Sequence, residues 1–110
     1  MKVIRNKILP FGKDYYAINL FGVVFAKGPC NTRTLNHEAI HTAQMKELLY
    51  VPFYLWYGIE WLLRLIQYHT LFAAYRNVSF EREAYANDGN PRYLKGRSPF
   101  AFLRYLKRIY

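Results

Sequence analysis

Hydrophobic residues near the start of the chain recur at every second position, which is the period of a β-strand. Tyr16, Ile18 and Leu20 alternate with their neighbours, and the apolar run at 23–25 is β-branched and aromatic. Residues 10–14, Pro-Phe-Gly-Lys-Asp, have the composition of a turn. The pattern predicts a small antiparallel sheet within residues 3–27.

The pattern becomes helical after residue 31, where candidate caps mark the beginnings of helices. Asn31 or Thr34 can cap a first helix that ends near residue 49. Pro52 suits the first turn of a second helix, which aromatic and apolar residues extend to about residue 75. This second helix is predicted to be the longest element of the chain.

Two further helices are predicted after a break at residues 77–79. Ser79 can cap a third helix over residues 80–87, which carries two glutamates. Ser98 and Pro99 can begin a last, basic helix that ends at residue 110. A strand region followed by helices predicts one α+β domain over residues 1–110.

The composition excludes several classes of protein. Hydrophobic residues make up 53% of the chain, which excludes a disordered tail. The single cysteine, Cys30, excludes an internal disulfide framework and a cysteine-only zinc site. A free thiol and an amino terminus charged every few residues predict a cytoplasmic protein without a signal peptide, in solution or peripheral to the inner membrane.

The charges are unevenly distributed. Lys and Arg number 16 against 7 Asp and Glu, a formal net charge of +9. Six of the seven acids lie between residues 34 and 89, so two basic ends flank a centre where a cation would bind. The aromatic residues do not interleave with Lys and Arg, so no specific nucleic-acid partner is predicted.

Residues 37–41 form a His-Glu-x-x-His motif inside the first predicted helix. Because residues four apart share a helix face, His37 and His41 can bind one ion. Glu38 is rotated by about 100° from His37, so it points toward a water beside the ion and can act as general base. Gln44 stays near this face and can bond a ligand or the substrate. The motif predicts a catalytic zinc site.

A catalytic zinc usually takes three protein ligands and a water, so one more donor is needed. Two glutamates of the third predicted helix are candidates, and each has a companion one turn later. Glu81 is followed by Tyr85, and Glu83 is followed by Asn87. His69 lies in an aromatic run and is the remaining, less favoured donor. The residues alone leave the choice between Glu81 and Glu83 open.

These motifs, in this order, resemble the gluzincin metallopeptidases, particularly their minimal members and short bacterial proteins for which no substrate follows. His37, Glu38 and His41 match the family motif directly, and Glu81 matches the glutamate of its Glu-x-x-Ala-Asp pattern. Tyr85 stands where the family has an aspartate that orients a histidine. The resemblance implies a zincin-like set of helices, zinc held by the two histidines and Glu81, Glu38 as the base, and peptide bonds as the substrate.

An aromatic segment at 50–66 follows the motif. Its uncharged part is too short to span a bilayer, which needs roughly 18 apolar residues. Glu60 and Arg64 are four apart and are predicted to pair, which makes Glu60 a poor metal ligand. One stripe of this predicted helix is entirely apolar: Leu55, Ile59, Leu62 and Ile66. The segment is expected to meet the protein's own core, a second copy or an anionic membrane.

Two functions follow from these features. The first is a zinc-dependent peptidase that hydrolyses a peptide or protein substrate through a zinc-activated water, with an extended substrate pairing on a strand near 23–26. The second is a non-catalytic zinc-binding module that associates with a membrane surface or a partner protein. A fourth protein ligand in place of the water would favour the second.

Overall fold

Three short strands form a mixed sheet in the computed structural model, which describes residues 2–6, 17–28 and 30–106. Strand β1 is Lys2–Arg5, β2 is Ala17–Leu20 and β3 is Val23–Ala26. The central strand β3 pairs antiparallel with β2 and parallel with β1. The predicted antiparallel sheet is therefore wrong for β1, because alternation indicates which face of a strand is buried and not the direction of its neighbour. The predicted turn at 10–14 lies outside the described residues.

The tight turn between β2 and β3 contains Phe21 and Gly22, both with positive φ, as a two-residue hairpin requires. The backbone N–H of Phe21 donates to the hydroxyl of Tyr54 at 2.8 Å. This bond ties the hairpin to the helical part of the protein.

Helices make up the rest of the described chain. The first two are α1 at Thr32–Glu47 and α2 at Val51–Tyr68. They are followed by α3 at Leu71–Arg76, α4 at Ser79–Asn87, α5 at Tyr93–Gly96 and a 3₁₀ helix at Ala101–Tyr105. The α+β class is confirmed, and none of the described helices is long and apolar enough to cross a membrane.

One of the two candidate caps of the first helix is confirmed, and the predicted second helix needs correction. Asn31, and not Thr34, caps α1, accepting a hydrogen bond from the Thr34 N–H at 2.8 Å. The long helix predicted over 53–75 is two helices, because the backbone of His69 adopts the left-handed conformation and ends α2. The Thr70 side chain then caps α3 by accepting a hydrogen bond from the Ala73 N–H. The apolar pattern continues across this break and conceals it.

The glutamate helix also begins differently from the prediction. Ser79 lies inside α4, and its hydroxyl donates to Glu60 at 2.6 Å, so it makes no side-chain cap. Glu60 is buried and pairs with Arg64 as predicted, at 3.3 Å. Because its carboxylate is taken up by Arg64 and Ser79, Glu60 is a structural anchor between α2 and α4.

The predicted C-terminal helix is only partly present. The short helix α5 was not predicted, and a 3₁₀ helix replaces the first turns of the expected basic helix. Neither Ser98 nor Pro99 begins it, because the residue at the cap position is Phe100. Residues 107–110 lie outside the described part of the chain.

The core lies where α2, α4 and the 3₁₀ helix meet. Phe80 is fully buried, and the centroid of its ring lies 4.5 Å from those of both Phe53 and Phe102. Met45 brings α1 into the same cluster. This packing sets α4 against α1, and so determines which side chains of the two helices meet.

Candidate metal centre

Two histidines on one face of α1 are buried and turn the same ring atom toward each other. The Nε2 atoms of His37 and His41 are 3.1 Å apart, one helical turn separating the residues. The spacing of the motif thus produces the paired arrangement expected from helix geometry.

Glu81, in the first turn of α4, brings a carboxylate oxygen to this pair. Its Oε1 lies 3.1 Å from Nε2 of His37 and 3.0 Å from Nε2 of His41. The ligands of a tetrahedral zinc, each at about 2.0–2.1 Å, are roughly 3.3 Å from one another. The three atoms therefore need to separate by only a few tenths of an ångström to surround one ion.

The outer nitrogen of His37 is held by a carboxylate. Its Nδ1 lies 3.1 Å from Oδ2 of Asp88, whose other oxygen accepts from Arg33 Nε at 2.8 Å. Because an ionised carboxylate only accepts, Nδ1 is the nitrogen that donates to Asp88, and Nε2 is left to face Glu81. Carboxylate–histidine pairs of this kind orient histidine ligands in metal proteins.

The outer nitrogen of His41 is held by an amide. Gln44 uses its Nε2 to donate to the Phe80 carbonyl and to Glu83, both at 3.0 Å, so its Oε1 accepts from Nδ1 of His41 at 2.8 Å. Nε2 of His41 is therefore the nitrogen that faces Glu81, and it can offer a lone pair to a metal once its own proton has left. Gln44, predicted to bond a ligand or substrate, instead bonds His41.

The second oxygen of Glu81 is also held. Its Oε2 accepts from the hydroxyl of Tyr57, on α2, at 2.8 Å. Each of the three converging side chains therefore has its remaining polar atom fixed by a partner, which is the arrangement that pre-orients metal ligands.

The charges of the cluster favour a cation between these side chains. Burial opposes a charged His41, but the Glu81 carboxylate outweighs it and raises the pKa of His41 to about 9. Burial also opposes a charged Glu81, but His41 and His37 outweigh it and hold the pKa of Glu81 well below its usual range. Negative charge that favours a proton at this position also favours a divalent cation, which would displace the proton.

Glu38 is the second carboxylate of the centre. His37, Glu38 and His41 could hold a metal ion, since each offers a ligand atom within 4.8 Å of the others. The Oε1 of Glu38 is buried and accepts no hydrogen bond from the described residues. Burial raises its pKa, although the charges of His41 and His37 oppose this. Glu38 is therefore beside the histidines but not hydrogen-bonded to them, whereas Glu81 contacts both.

The alternative carboxylate, Glu83, faces away from the histidines. It is fully buried and accepts hydrogen bonds from Gln44, Tyr93 and Arg97. Burial favours its neutral form, but Arg97 and Tyr93 outweigh this and hold the pKa of Glu83 below its usual range. Asn87, one turn after Glu83, donates to the Glu83 carbonyl and to the Tyr105 hydroxyl. The pair of Glu83 and Asn87 therefore does not reach the histidines.

Two other candidates have different roles from those considered. His69 is exposed at the end of α2 and is not part of the cluster. Tyr85 packs its ring edge-on against His37, with 4.4 Å between the ring centroids, and its hydroxyl bonds that of Tyr75 at 2.8 Å. The side chain that hydrogen-bonds His37 is therefore Asp88 and not Tyr85.

Neither Asp88 nor Tyr57 was predicted as part of the centre. Asp88 lies directly after the predicted third helix. Positions 81, 85 and 88 share one helix face by their spacing of four and three, so Asp88 could have been found by extending the face one turn. Tyr57 comes from another helix, and no local pattern connects it to Glu81.

An apolar cavity of about 600 Å³ opens beside the cluster. Glu38, His41 and Glu81 form its polar end. The remaining walls come mainly from β2 and α2: Ala17, Ile18, Asn19, Leu20, Phe53, Tyr54, Tyr57, Gly58 and Trp61, together with Met45 and Tyr75. A ligand with a large apolar group would fill this space and bring a polar group to the cluster.

Strand β2 is fixed next to the motif helix. Asn19 Nδ2 donates to the Glu38 carbonyl and to the Thr42 hydroxyl, each at 2.8 Å. Within the described residues β2 pairs only with β3, whereas β3 is paired on both sides. The prediction that the strand near 23–26 would receive a substrate is therefore wrong, and β2 is the edge strand that borders the cavity.

The chain matches no protein-family model, and no curated protein or solved structure is detectably similar to it. Conclusions about this centre consequently depend on its own geometry and chemistry.

Proposed function

We propose that this chain is a zinc-dependent peptidase in which His37, His41 and Glu81 hold the metal and Glu38 is the general base. The observation that carries the proposal is the convergence of two imidazole nitrogens and one carboxylate oxygen within 3.1 Å of one another at the end of an apolar cavity. Helices α1 and α4 would then be the motif and glutamate helices of a zincin-like arrangement.

The donor set favours zinc over harder cations. Two nitrogens and one oxygen are typical of a catalytic zinc site, whereas calcium and magnesium prefer oxygen alone. When bound, zinc supplies Lewis-acid chemistry, polarising a carbonyl and lowering the pKa of a water to about 7. The proton held between His41 and Glu81 would leave when the metal binds.

Glu38 is suited to move the proton. Its Oε1 is buried at the cavity and lacks a hydrogen-bond partner among the described residues, so it is available to a water. A raised pKa makes the carboxylate a stronger base than an exposed glutamate. Glu38 would accept a proton from the water and deliver it to the amine that leaves.

The cavity and the strand beside it suggest how a substrate is held. An extended peptide could add by backbone hydrogen bonds to the edge of β2 that no described strand pairs with, while one apolar side chain enters the cavity. Asn19 holds this strand against α1, so the peptide would pass close to Glu38. We therefore expect cleavage of unfolded polypeptides next to a large apolar residue.

The direct test combines metal analysis with an activity measurement. The purified full chain is expected to bind one zinc per molecule, and His37→Ala is expected to lose it. With zinc bound, the wild type is expected to release new amino termini from a denatured protein, and a chelator to stop the release. A wild-type chain that takes up no stoichiometric zinc would overturn the proposal.

Tyr57 provides a finer test, because its hydroxyl donates to the outer oxygen of Glu81. Tyr57→Phe keeps the ring but removes this hydrogen bond, and groups of this kind typically contribute about 10–100-fold to metal affinity. We expect zinc affinity, measured by competition with a chelating dye, to fall by roughly that factor. The matched control is Tyr54→Phe, which also changes a cavity tyrosine but one that bonds Phe21 instead of Glu81. Equal affinities in the two variants would mean that Glu81 does not need to be oriented by Tyr57.

A further inference from the structure

One side of α2 is apolar throughout and exposed. The buried residues of this helix, Phe53, Glu60 and Arg64, lie on the opposite side. The exposed large side chains continue into the start of α3 and form what we call the outer face: Val51, Leu55, Ile59, Leu62, Leu63, Ile66 and Leu71. Their exposed fractions run from 54% to 72%. Contiguous apolar surface of this extent marks an interaction site.

The exposed charges of the described residues have one sign. Six of the seven acidic residues belong to the described chain, and none of these six is exposed. Five are buried, and the sixth, Glu47, is partly buried and bonds Arg97. The exposed ionic side chains of the described residues are all basic: Arg5, Arg33, Lys46, Arg76, Arg92, Lys95 and Arg104.

We propose that the outer face docks on an anionic phospholipid bilayer, with α2 lying parallel to the membrane plane. A face of leucine and isoleucine on a strongly basic protein combines the two attractions that hold peripheral helices, apolar insertion and electrostatic attraction to anionic lipid. Helix α2 has 18 residues, which at 1.5 Å per residue give a contact about 27 Å long. A second copy is a poorer partner, because each chain carries a net charge of +9 and the two would repel.

The cavity opens next to this surface. Gly58 is exposed and lines the cavity, and Leu55 and Leu62 lie three residues before it and four after it. Residues with this spacing are neighbours on a helix, so the cavity meets the outer face along one side of α2. The docking surface itself does not depend on the proposed peptidase activity.

Vesicle binding of the full chain tests the proposal. Co-sedimentation would compare phosphatidylcholine vesicles containing about one third phosphatidylglycerol with vesicles of phosphatidylcholine alone, at low and high salt. Because basic residues are attracted to an anionic surface, we expect at least about 10-fold tighter binding to the anionic vesicles, and we expect high salt to weaken it.

The decisive variant is L55Q/L62Q/I66Q, which makes three exposed positions of the outer face polar. It should bind anionic vesicles at least about 10-fold more weakly, because inserted apolar side chains contribute to binding in proportion to their area. The matched control is Leu103→Gln, which changes an exposed leucine of the 3₁₀ helix. That helix adjoins the buried side of α2, since Arg64 donates to the Leu106 carbonyl beside it. The control should bind vesicles as tightly as the wild type does. Both variants should unfold at the same temperature as the wild type.

Three outcomes would overturn the proposal. The first is a monomeric wild type that ignores both kinds of vesicle. The second is a dimer in sedimentation velocity that the triple variant dissociates, without vesicle binding, which would assign the face to a second copy. The third is vesicle binding that the triple variant retains in full, which would leave charge alone as its cause.

Discussion

Glu38→Gln is expected to keep one zinc per chain and to lose peptide hydrolysis by at least about 10²–10⁴-fold, the usual contribution of a general base. The amide has nearly the same shape as the carboxylate but cannot accept the proton. The buried position of Glu38 beside the cavity, with Oε1 free of described hydrogen-bond donors, motivates this expectation. The measurement is the rate of amino-terminus release from a denatured protein, with zinc content determined on the same samples.

The matched control for this change is Glu47→Gln, which makes the same substitution at the far end of α1. Glu47 bonds Arg97 and is not in the cluster, so this variant should keep both zinc and hydrolysis, with a lower melting temperature. Equal hydrolysis by wild type and Glu38→Gln would assign Glu38 another role. Loss of zinc from Glu38→Gln would identify Glu38 as a ligand, since its donor atom lies in one group with those of His37 and His41. Glu38 would then be a fourth protein ligand in place of the water, and the non-catalytic zinc module would be the better description.

The second large effect is expected from the two glutamates of α4, which the structure separates by function. Glu81→Ala should lower zinc affinity far more than the roughly 10–100-fold of an orienting group, because it removes an oxygen that contacts both histidines. Glu83→Ala should leave zinc affinity nearly unchanged but cost about 3 kcal/mol of unfolding free energy, because Arg97 would lose a buried partner.

Zinc competition titration and chemical denaturation, applied to both variants, distinguish these expectations. The reverse order of affinities would make Glu83 the ligand and would contradict the observed orientation of α4. If neither change affects zinc, neither glutamate is a ligand, and His69 is the next donor to examine. A stability loss in Glu81→Ala alone, at constant zinc affinity, would identify Glu81 as a structural partner of the histidines.

Short separations along the chain were sufficient to predict some of the contacts in this protein. The pairing of His37 with His41 and that of Glu60 with Arg64 were predicted from separations of four residues, and Asn31 was one of two candidate caps. An α-helix places such residues together whatever else the chain does. The preference for Glu81 came from a family pattern and not from this kind of geometry, and its role as a ligand stays a prediction.

The arrangement around the histidines was decided by the packing of separate elements. Glu81 lies 40 and 44 residues from the two histidines, and Asp88 lies 51 residues from His37. Which face of α4 meets α1 depends on Phe80 entering the core between α2 and the 3₁₀ helix. That core orients Glu81 toward the histidines and Glu83 toward Arg97. The two glutamates have similar neighbours along the chain, so the local sequence does not show which of them faces the histidines.

Three features can be predicted from the amino-acid sequence, because each depends on a repeat of two to four residues along one element: the α+β class, the motif face of α1 and the apolar stripe of α2. The packing of the elements sets the parallel direction of β1, the edge position of β2 and the partners of Glu81 and Glu83. It also decided that the stripe Leu55, Ile59, Leu62 and Ile66 faces outward while Glu60 and Arg64 are buried. Burying the Glu60–Arg64 ion pair costs less free energy because the Ser79 N–H donates to Glu60 and Arg64 donates to the Leu106 carbonyl. These partners come together only when the elements have packed.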